Sequence, residues 1–513
     1  MLTCDDFIEA LHRNGSCPPA SATANPDVSG LGVLLAFLIS AWACLAFATG
    51  CYVSNCMPRD LLTNYDIVII RRSYRASRDW ERTLQRAMLA LSDQQMVAGI
   101  AVLIAGFAGW TTVSVYHWQI ITYLGWLSSN VHLTTLSFLR DYLRKNTLLR
   151  RVRLIGMALL VILLIVALVP TVSNLWTATL YAKTSGIIPS CWTAQLPVWC
   201  TTGPEAQVLG LAALEAGDRY LIDGPGLGDV NPDAVVSYII LVGGFLWKAG
   251  NLAETTQGFL QKWLWRFPMA ILERPLRSLA RRKQVNTASW RARCFYCLLI
   301  SIYIPIVSFT EILRSFAGNL WTITIALVWG TLQLCLPRTQ VSLDSSENAW
   351  NFGQILPLLL LALPLLAVVE ALYEKDNHRT SSEDYQMRTT ITNDSYTGLL
   401  DSTSLQSTAL AESSQPDSHL SKLFAQLRFE TPDSASELRH SLYSSKMFKA
   451  VLLLWQFFLM LAFGYVVGMK VVFANQPYDV QLEAAIGGMF LWIGLMSTWS
   501  VTMLSVRWSK LYE

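Results

Sequence analysis

The chain has 513 residues, of which 53% are hydrophobic and only 15% charged, with a formal net charge of +3. Soluble domains carry roughly 25% charged residues, so this composition excludes a large water-soluble fold. Most Lys and Arg flank apolar runs of about 20 residues, each long enough to cross a hydrocarbon core of about 30 Å, so the small positive balance carries no nucleic-acid footprint. The expected fold is all-α, a polytopic transmembrane bundle of nine or ten helices whose first partner is the lipid bilayer.

Residues 1–30 hold Asp5, Asp6 and Glu9, lack a basic start and offer no apolar core before Leu31. They do not read as a cleaved signal peptide, and the first apolar helix is expected to serve as its own insertion signal. Asp5-Asp6-Phe7-Ile8-Glu9 imitates an acidic magnesium motif, but no second metal motif follows it. Apolar length and flanking charge predict spans at Leu31–Val53, Met96–Val115, Trp118–Leu139, Leu154–Leu175 and Val235–Ala249. Further spans are predicted at Cys294–Leu313, Leu320–Leu336, Phe352–Leu372, Ala450–Met469 and Ala484–Leu504. The first eight fall within 31–372, with a Gly-rich cap over 176–233. A polar, Ser/Thr-rich segment follows over 373–447, too poor in apolar residues to fold alone, and 448–513 carries the last two spans.

Orientation follows from Lys and Arg asymmetry. Seven arginines follow the first span (Arg59 to Arg86), six basic residues follow the third (Arg140 to Arg153) and nine follow the fifth (Lys262 to Arg293). Residues 176–233 hold only Lys183 and Arg219. The pattern predicts a lumenal N-terminus in the endoplasmic reticulum or another endomembrane, with Asn14-Gly15-Ser16 a glycosylation acceptor on that side. The rule conflicts with itself after Arg293. Two crossings between Cys294 and Leu336 put 374–446 in the lumen, although it holds seven Lys or Arg. Either one apolar piece near Ile312 is re-entrant or a span elsewhere is miscounted.

Ten cysteines divide by side. Cys4, Cys17, Cys191 and Cys200 fall in lumenal segments, where disulfides form, and four cysteines allow three pairings. The local pair Cys191–Cys200 is preferred. Cys294-Phe295-Tyr296-Cys297 has no second pair and reads as buried apolar thiols.

Polar side chains inside a membrane helix are expensive and mark functional candidates. On the third span, Tyr123, Trp126, Asn130, Thr134 and Ser137 share one face, while Ser128 and His132 lie on another. Such a stripe either hydrogen-bonds neighbouring helices or lines a site. The second span opens Ser92-Asp93-Gln94-Gln95, which fits a capping box with Asp93 in the first turn. Asp93 is equally a candidate acid at the mouth of the bundle. Glu311 has Arg314 three residues on, an ion-pair spacing, and Gln354 begins the eighth span. The chain lacks GxxxxGK[ST], HExxH, GxSxG and GxGxxG, so nucleotide, metallohydrolase and serine-hydrolase readings find no support.

Ser92-Asp93-Gln94-Gln95, Trp126-Leu127-Ser128-Ser129-Asn130-Val131-His132 and Phe352-Gly353-Gln354-Ile355 resemble a group of filamentous-fungal multipass proteins. That group includes the membrane-bound terpene cyclase of the ascofuranone pathway, and the likeness covers most of the chain outside the N-terminus and residues 374–446. The resemblance implies a metal-independent, cofactor-free cyclase that opens an epoxidised prenyl chain on an apolar meroterpenoid. Such a reaction needs an acid (Asp93 or Glu311), polar groups to orient the oxygen (Tyr123, Asn130, His132) and aromatic walls. The competing class is a non-enzymatic receptor, channel-like protein or scaffold.

Overall fold

The computed structural model describes residues 25–54, 57, 61–70, 78–172, 176, 197–202, 231–252, 271–276, 278, 290–340, 345–367, 369–370, 373, 446–472 and 488. Among them every regular element is helical, with one isolated bridge between Ser114 and Pro197. Six stretches are long and apolar enough to cross a membrane: Pro26–Val53, Thr83–Ala108, Asp233–Gly250, Phe316–Thr339, Ser346–Ala367 and Phe448–Tyr465. The protein is an all-α helical membrane bundle.

The main helices are α1 (Leu31–Val53), α2 (Arg78–Ala108), α3 (Val115–Phe138), α4 (Thr147–Ala167) and α5 (Pro232–Leu252). They continue as α6 (Trp290–Arg314), α7 (Phe316–Gln340), α8 (Phe352–Leu360) and α9 (Lys446–Val472). Helix α3 is the axis. It packs against α1, α2, α4, α5 and α7, and every residue in it except Ser137 is buried. It matches the span predicted at Trp118–Leu139 to within three residues at its start and one at its end, and it is a regular helix. Several of its polar side chains bond to its own backbone one turn back, which meets part of their hydrogen-bonding need inside an apolar bundle. Asn130 Nδ2 donates to Trp126 O at 2.9 Å, Thr134 to Asn130 O at 2.8 Å and Thr135 to Val131 O at 2.7 Å.

Two faces of the bundle can be told apart by side-chain ties. On the face that carries Leu31, here called proximal, Gly32 N donates to Gln354 Oε1 at 3.1 Å, and the Arg338 guanidinium donates to Ser29 O and, at 2.7 Å, to Asn348 Oδ1. On the distal face, buried Asp66 accepts from Tyr52 OH at 3.1 Å and from Phe316 N and Ala317 N at 3.0 Å each. These last two bonds satisfy the free N–H groups at the start of α7. Nearby, Tyr65 OH donates to Gln456 Oε1 of α9 at 3.1 Å, and burial, then Asp66, pushes that hydroxyl's pKa up.

Helix α7 therefore starts distal and ends proximal, and α8 starts proximal beside Gly32. Helix α5 runs the other way, from Asn231, tied to Thr171 O at 2.9 Å on the proximal face, to Lys248 on the distal one. Between α5 and α7, then, the chain leaves and returns on the same side. The basic stretch from Leu252 to Trp290 contains no apolar run of spanning length, so α6 does not cross alone. Its exposed Phe295, Leu298, Ile302, Ile306 and Phe309 recur every three or four residues, with Tyr303 and Val307 buried behind them. That stripe is the outward-facing side of α6.

A second correction concerns the start of the second span. Helix α2 begins at Arg78, not near Met96, because no Gly or Pro interrupts the charged stretch before it. Ser92 and Gln95 lie in mid-helix, so the expected capping box does not form. Asn14, Cys4, Cys17, Cys191 and the predicted span 484–504 lie outside the described residues, save Gly488. Cys200 is disulfide-bonded, and its partner lies outside the described residues as well. Beside it, Val198 N donates to Val113 O at 3.0 Å, which brings that segment to the proximal end of α3.

Candidate functional site

Polar groups converge on α3 in two regions of opposite character. The first is its contact with α2 and α4. Ser92 Oγ lies 2.7 Å from His132 Nδ1, Ser128 Oγ donates to Gln95 O, and Arg153 Nη2 of α4 stands 2.6 Å from the Asp93 carboxylate. Asp93 is half exposed while Arg153 is buried. The helices also touch closely here. A Cβ on Gly99 would collide with Ser128 Oγ, and one on Gly106 would come within 2.9 Å of Ile121 Cγ2. Small residues allow such approach in membranes. Asp93 and His132 thus lie on the same helix contact through separate ties, His132 to Ser92 and Asp93 to Arg153, and His132 Nε2 makes no hydrogen bond among the described residues.

The second region is the seam between α3, α5 and α7, faced by the predicted polar stripe. Near its proximal end Trp176 Nε1 donates to Gln119 Oε1 at 3.0 Å, and Gln333 Nε2 donates to Asp233 Oδ2 at 3.1 Å. One turn deeper, Tyr123 OH lies 3.1 Å from Ser237 Oγ, which also accepts from Trp329 Nε1 at 2.9 Å. Trp126 Nε1 donates to Ala326 O at 2.8 Å, so Trp126 and Trp329 wall the seam. Below them, Asn130 Oδ1 is buried and makes no hydrogen bond among the described residues. An unsatisfied buried acceptor costs about 1–3 kcal/mol. At the distal end Lys248 Nζ donates to Ser137 Oγ and Asn319 Oδ1, each at 2.6 Å. On α5, a Cβ on Gly244 would meet Leu133 Cδ1 of α3 at an ordinary 3.6 Å, while Gly243 is exposed on the outer face of the helix, where a Cβ would meet nothing within 4 Å.

The predicted site residues therefore divide. Tyr123 and Asn130 face the seam, Asp93 and His132 the tight α2 contact, and Glu311 is buried on α6, which packs against α7 and α9. Gln354 ties α8 to α1. Asp233, Ser237, Trp329, Gln333 and Lys248 were not singled out by sequence reasoning. Lys248 carried the clearest signal, as the one charge inside the apolar run Val235–Ala249. Among the described residues no group of three or more His, Cys, Asp or Glu is placed to hold a metal ion.

No family model and no solved structure matches the chain. Two curated proteins do. It is 28% identical over 253 residues to the elsinochromes biosynthesis cluster protein HP2 of Elsinoe fawcettii, across 44% of this chain and 63% of that protein. It is 36% identical over 105 residues to the elsinochromes biosynthesis cluster protein HP3 of the same organism, across 20% of this chain and 42% of that protein. The chain thus matches less than two thirds of either relative's length. Both relatives are named for a fungal secondary-metabolite cluster, which agrees with the expected fungal biosynthetic kinship at that level, and neither is named as a terpene cyclase.

Proposed function

We propose that the protein is a membrane-embedded biosynthetic enzyme that cyclises an epoxidised prenyl chain on an apolar substrate within the α3/α5/α7 seam. The observation that carries the reading is the seam itself: a carboxyl group, a phenol and two indoles gathered along one side of a buried helix. The relatives' cluster names support the biosynthetic half. In this reading Asp233, presented by Gln333, gives its proton to the epoxide oxygen. The C–O bond breaks, the alkene π electrons close the ring, and the last cation loses a proton back to the carboxylate. Atoms and electrons balance, and the product is an isomer of the substrate. Tyr123 and Asn130 orient the oxygen, and the faces of Trp126 and Trp329 steady the cation. The reading also takes the proximal face as lumenal and the membrane as an endomembrane.

A second reading, a non-enzymatic membrane scaffold, is favoured by the ties among Ser92, Asp93, His132 and Arg153, which bind three helices without need of a substrate. Microsomes carrying the protein, fed several epoxyfarnesyl phenols, decide between them. Conversion to a cyclised isomer of equal mass is expected. No conversion of any of them removes the cyclase and leaves the scaffold.

A further inference from the structure

The two oxygens of Asp233 are told apart by residues most of which do not touch it. Trp176 Nε1 can only donate, so the Gln119 atom 3.0 Å from it is the carbonyl oxygen, and the Gln119 amide nitrogen points the other way. That nitrogen lies 3.3 Å from the backbone oxygen of Gln333 and 3.4 Å from its Oε1. The second contact is long for a hydrogen bond, but its sense is fixed, because with Gln333 turned over two amide nitrogens would face each other. Gln333 therefore keeps Oε1 toward Gln119 and donates from Nε2 to Asp233 Oδ2 at 3.1 Å. Indole, amide and amide form one chain of donors that runs in a single direction, from Trp176 through α3 and α7 to the first turn of α5.

The chain is buried and its end is not. Trp176, Gln119 and Gln333 are 2–3% exposed, while Asp233 is partly exposed at the proximal end of α5. A buried amide can turn over only by leaving donors and acceptors unpaired, so the sense of the chain is held. The backbone of Asp233 is held too: its N–H donates to Asn231 Oδ1 at 3.0 Å, and Asn231 Nδ2 donates to Thr171 O at 2.9 Å. An N–H on Oδ2 favours the ionised carboxylate and leaves Oδ1 as the oxygen on which a proton can sit.

We infer that Trp176, Gln119 and Gln333 are a directional relay that keeps an N–H on Asp233 Oδ2 and so confines the acid's proton to Oδ1. They are positioning residues, since only Gln333 touches the carboxyl group. The inference deepens the proposed function and rests on its choice of Asp233 as the acid, but it is read without turnover. The full chain in nanodiscs is titrated by infrared difference spectroscopy, with the carboxylic C=O band of Asp233 identified by its loss in D233N, and each variant is melted in parallel. Q333L removes the donor, so the protonated form should persist to higher pH and the half-point of the band should rise by about one pH unit, the size of a hydrogen bond to a charged group. Q119L keeps Gln333 but frees it to turn its oxygen toward Asp233, and W176F frees Gln119 in turn. Both should move the half-point the same way by less, W176F least, because the backbone oxygen of Gln333 still orients Gln119 there.

An unmoved half-point in Q333L overturns the inference, above all if the variant melts lower, since Gln333 is then a tie between helices. A shift confined to Q333L overturns it as well, because the orientation then does not come from Gln119. A band absent from the wild type at every pH where the protein is folded overturns the relay together with the choice of Asp233 as the acid. Shifted half-points without cyclisation would keep the relay and remove the reaction, and cyclisation with unmoved half-points would do the reverse.

Discussion

The two sides of α3 use the same kinds of residue for different ends. Toward α2, serine, histidine and glycine bring backbones together until Gly99 and Ser128 leave no room for a methyl group. Toward α5 and α7, serine, asparagine and tyrosine face indoles and an amine, and Gly244 of α5 leaves a Cβ an ordinary 3.6 Å contact with Leu133. Polarity in a membrane helix is therefore not by itself a mark of function. Each side keeps a buried polar atom without a hydrogen bond among the described residues, His132 Nε2 toward α2 and Asn130 Oδ1 toward the seam. What separates a weld from a site is the chemistry gathered beside it, glycine and serine at backbone contact on one side, a carboxyl group, a phenol and two indoles on the other.

Substitutions can break this contrast. The largest effect is expected from Gly99→Leu, which forces a branched side chain into Ser128. Overpacking of this kind costs about 1–3 kcal/mol or more, read as a loss of monodisperse protein on size-exclusion chromatography. Next comes Asp93→Ala. It leaves Arg153 buried without its carboxylate, and because Asp93 is half exposed the loss should be roughly 1–3 kcal/mol, below that of a fully buried pair. Thermal unfolding in detergent measures it, and an unchanged midpoint would show that the pair ties nothing. Tyr123→Phe removes one hydroxyl and should cost only about 0.5–1.5 kcal/mol, while turnover per folded molecule falls sharply. The smallest effect belongs to Gly244→Ala, whose methyl group meets Leu133 at an ordinary 3.6 Å and which gains up to about 1 kcal/mol of helix propensity. A strong loss of thermal stability there would mean that the α5 contact tolerates a methyl group no better than the α2 contact at Gly99.

Much of the bundle was legible in the sequence. Leu31–Val53 has the predicted bounds, and the stripe from Tyr123 to Ser137 faces the interior as its spacing required. Three things were not legible, each for a physical reason. Helix α2 extends back to Arg78 because a charged stretch without Gly or Pro continues a helix as readily as it ends one, so Ser92 is no cap. Helix α6 has the apolar count of a span, and only the Asp66 cap on α7 reveals which face it returns to. The pairing of Asp93 with Arg153 joins residues 60 positions apart on different helices, a distance no local pattern encodes. Lys248 was visible as a charge in an apolar run, but whether it snorkels or turns inward depends on Asn319, 71 residues away.

The central claim, that chemistry belongs to the seam and cohesion to the α2 side, is tested most directly by two isosteric changes in one assay. Asp233→Asn and Asp93→Asn each replace a carboxyl group with an amide of the same shape. Cyclisation of an epoxyfarnesyl phenol is then measured per folded molecule in microsomes. The seam account predicts that Asp233→Asn abolishes turnover at a normal protein level, while Asp93→Asn lowers the melting temperature and leaves turnover intact. Full turnover in Asp233→Asn together with its loss in Asp93→Asn would contradict the account and return the acid to the mouth of α2.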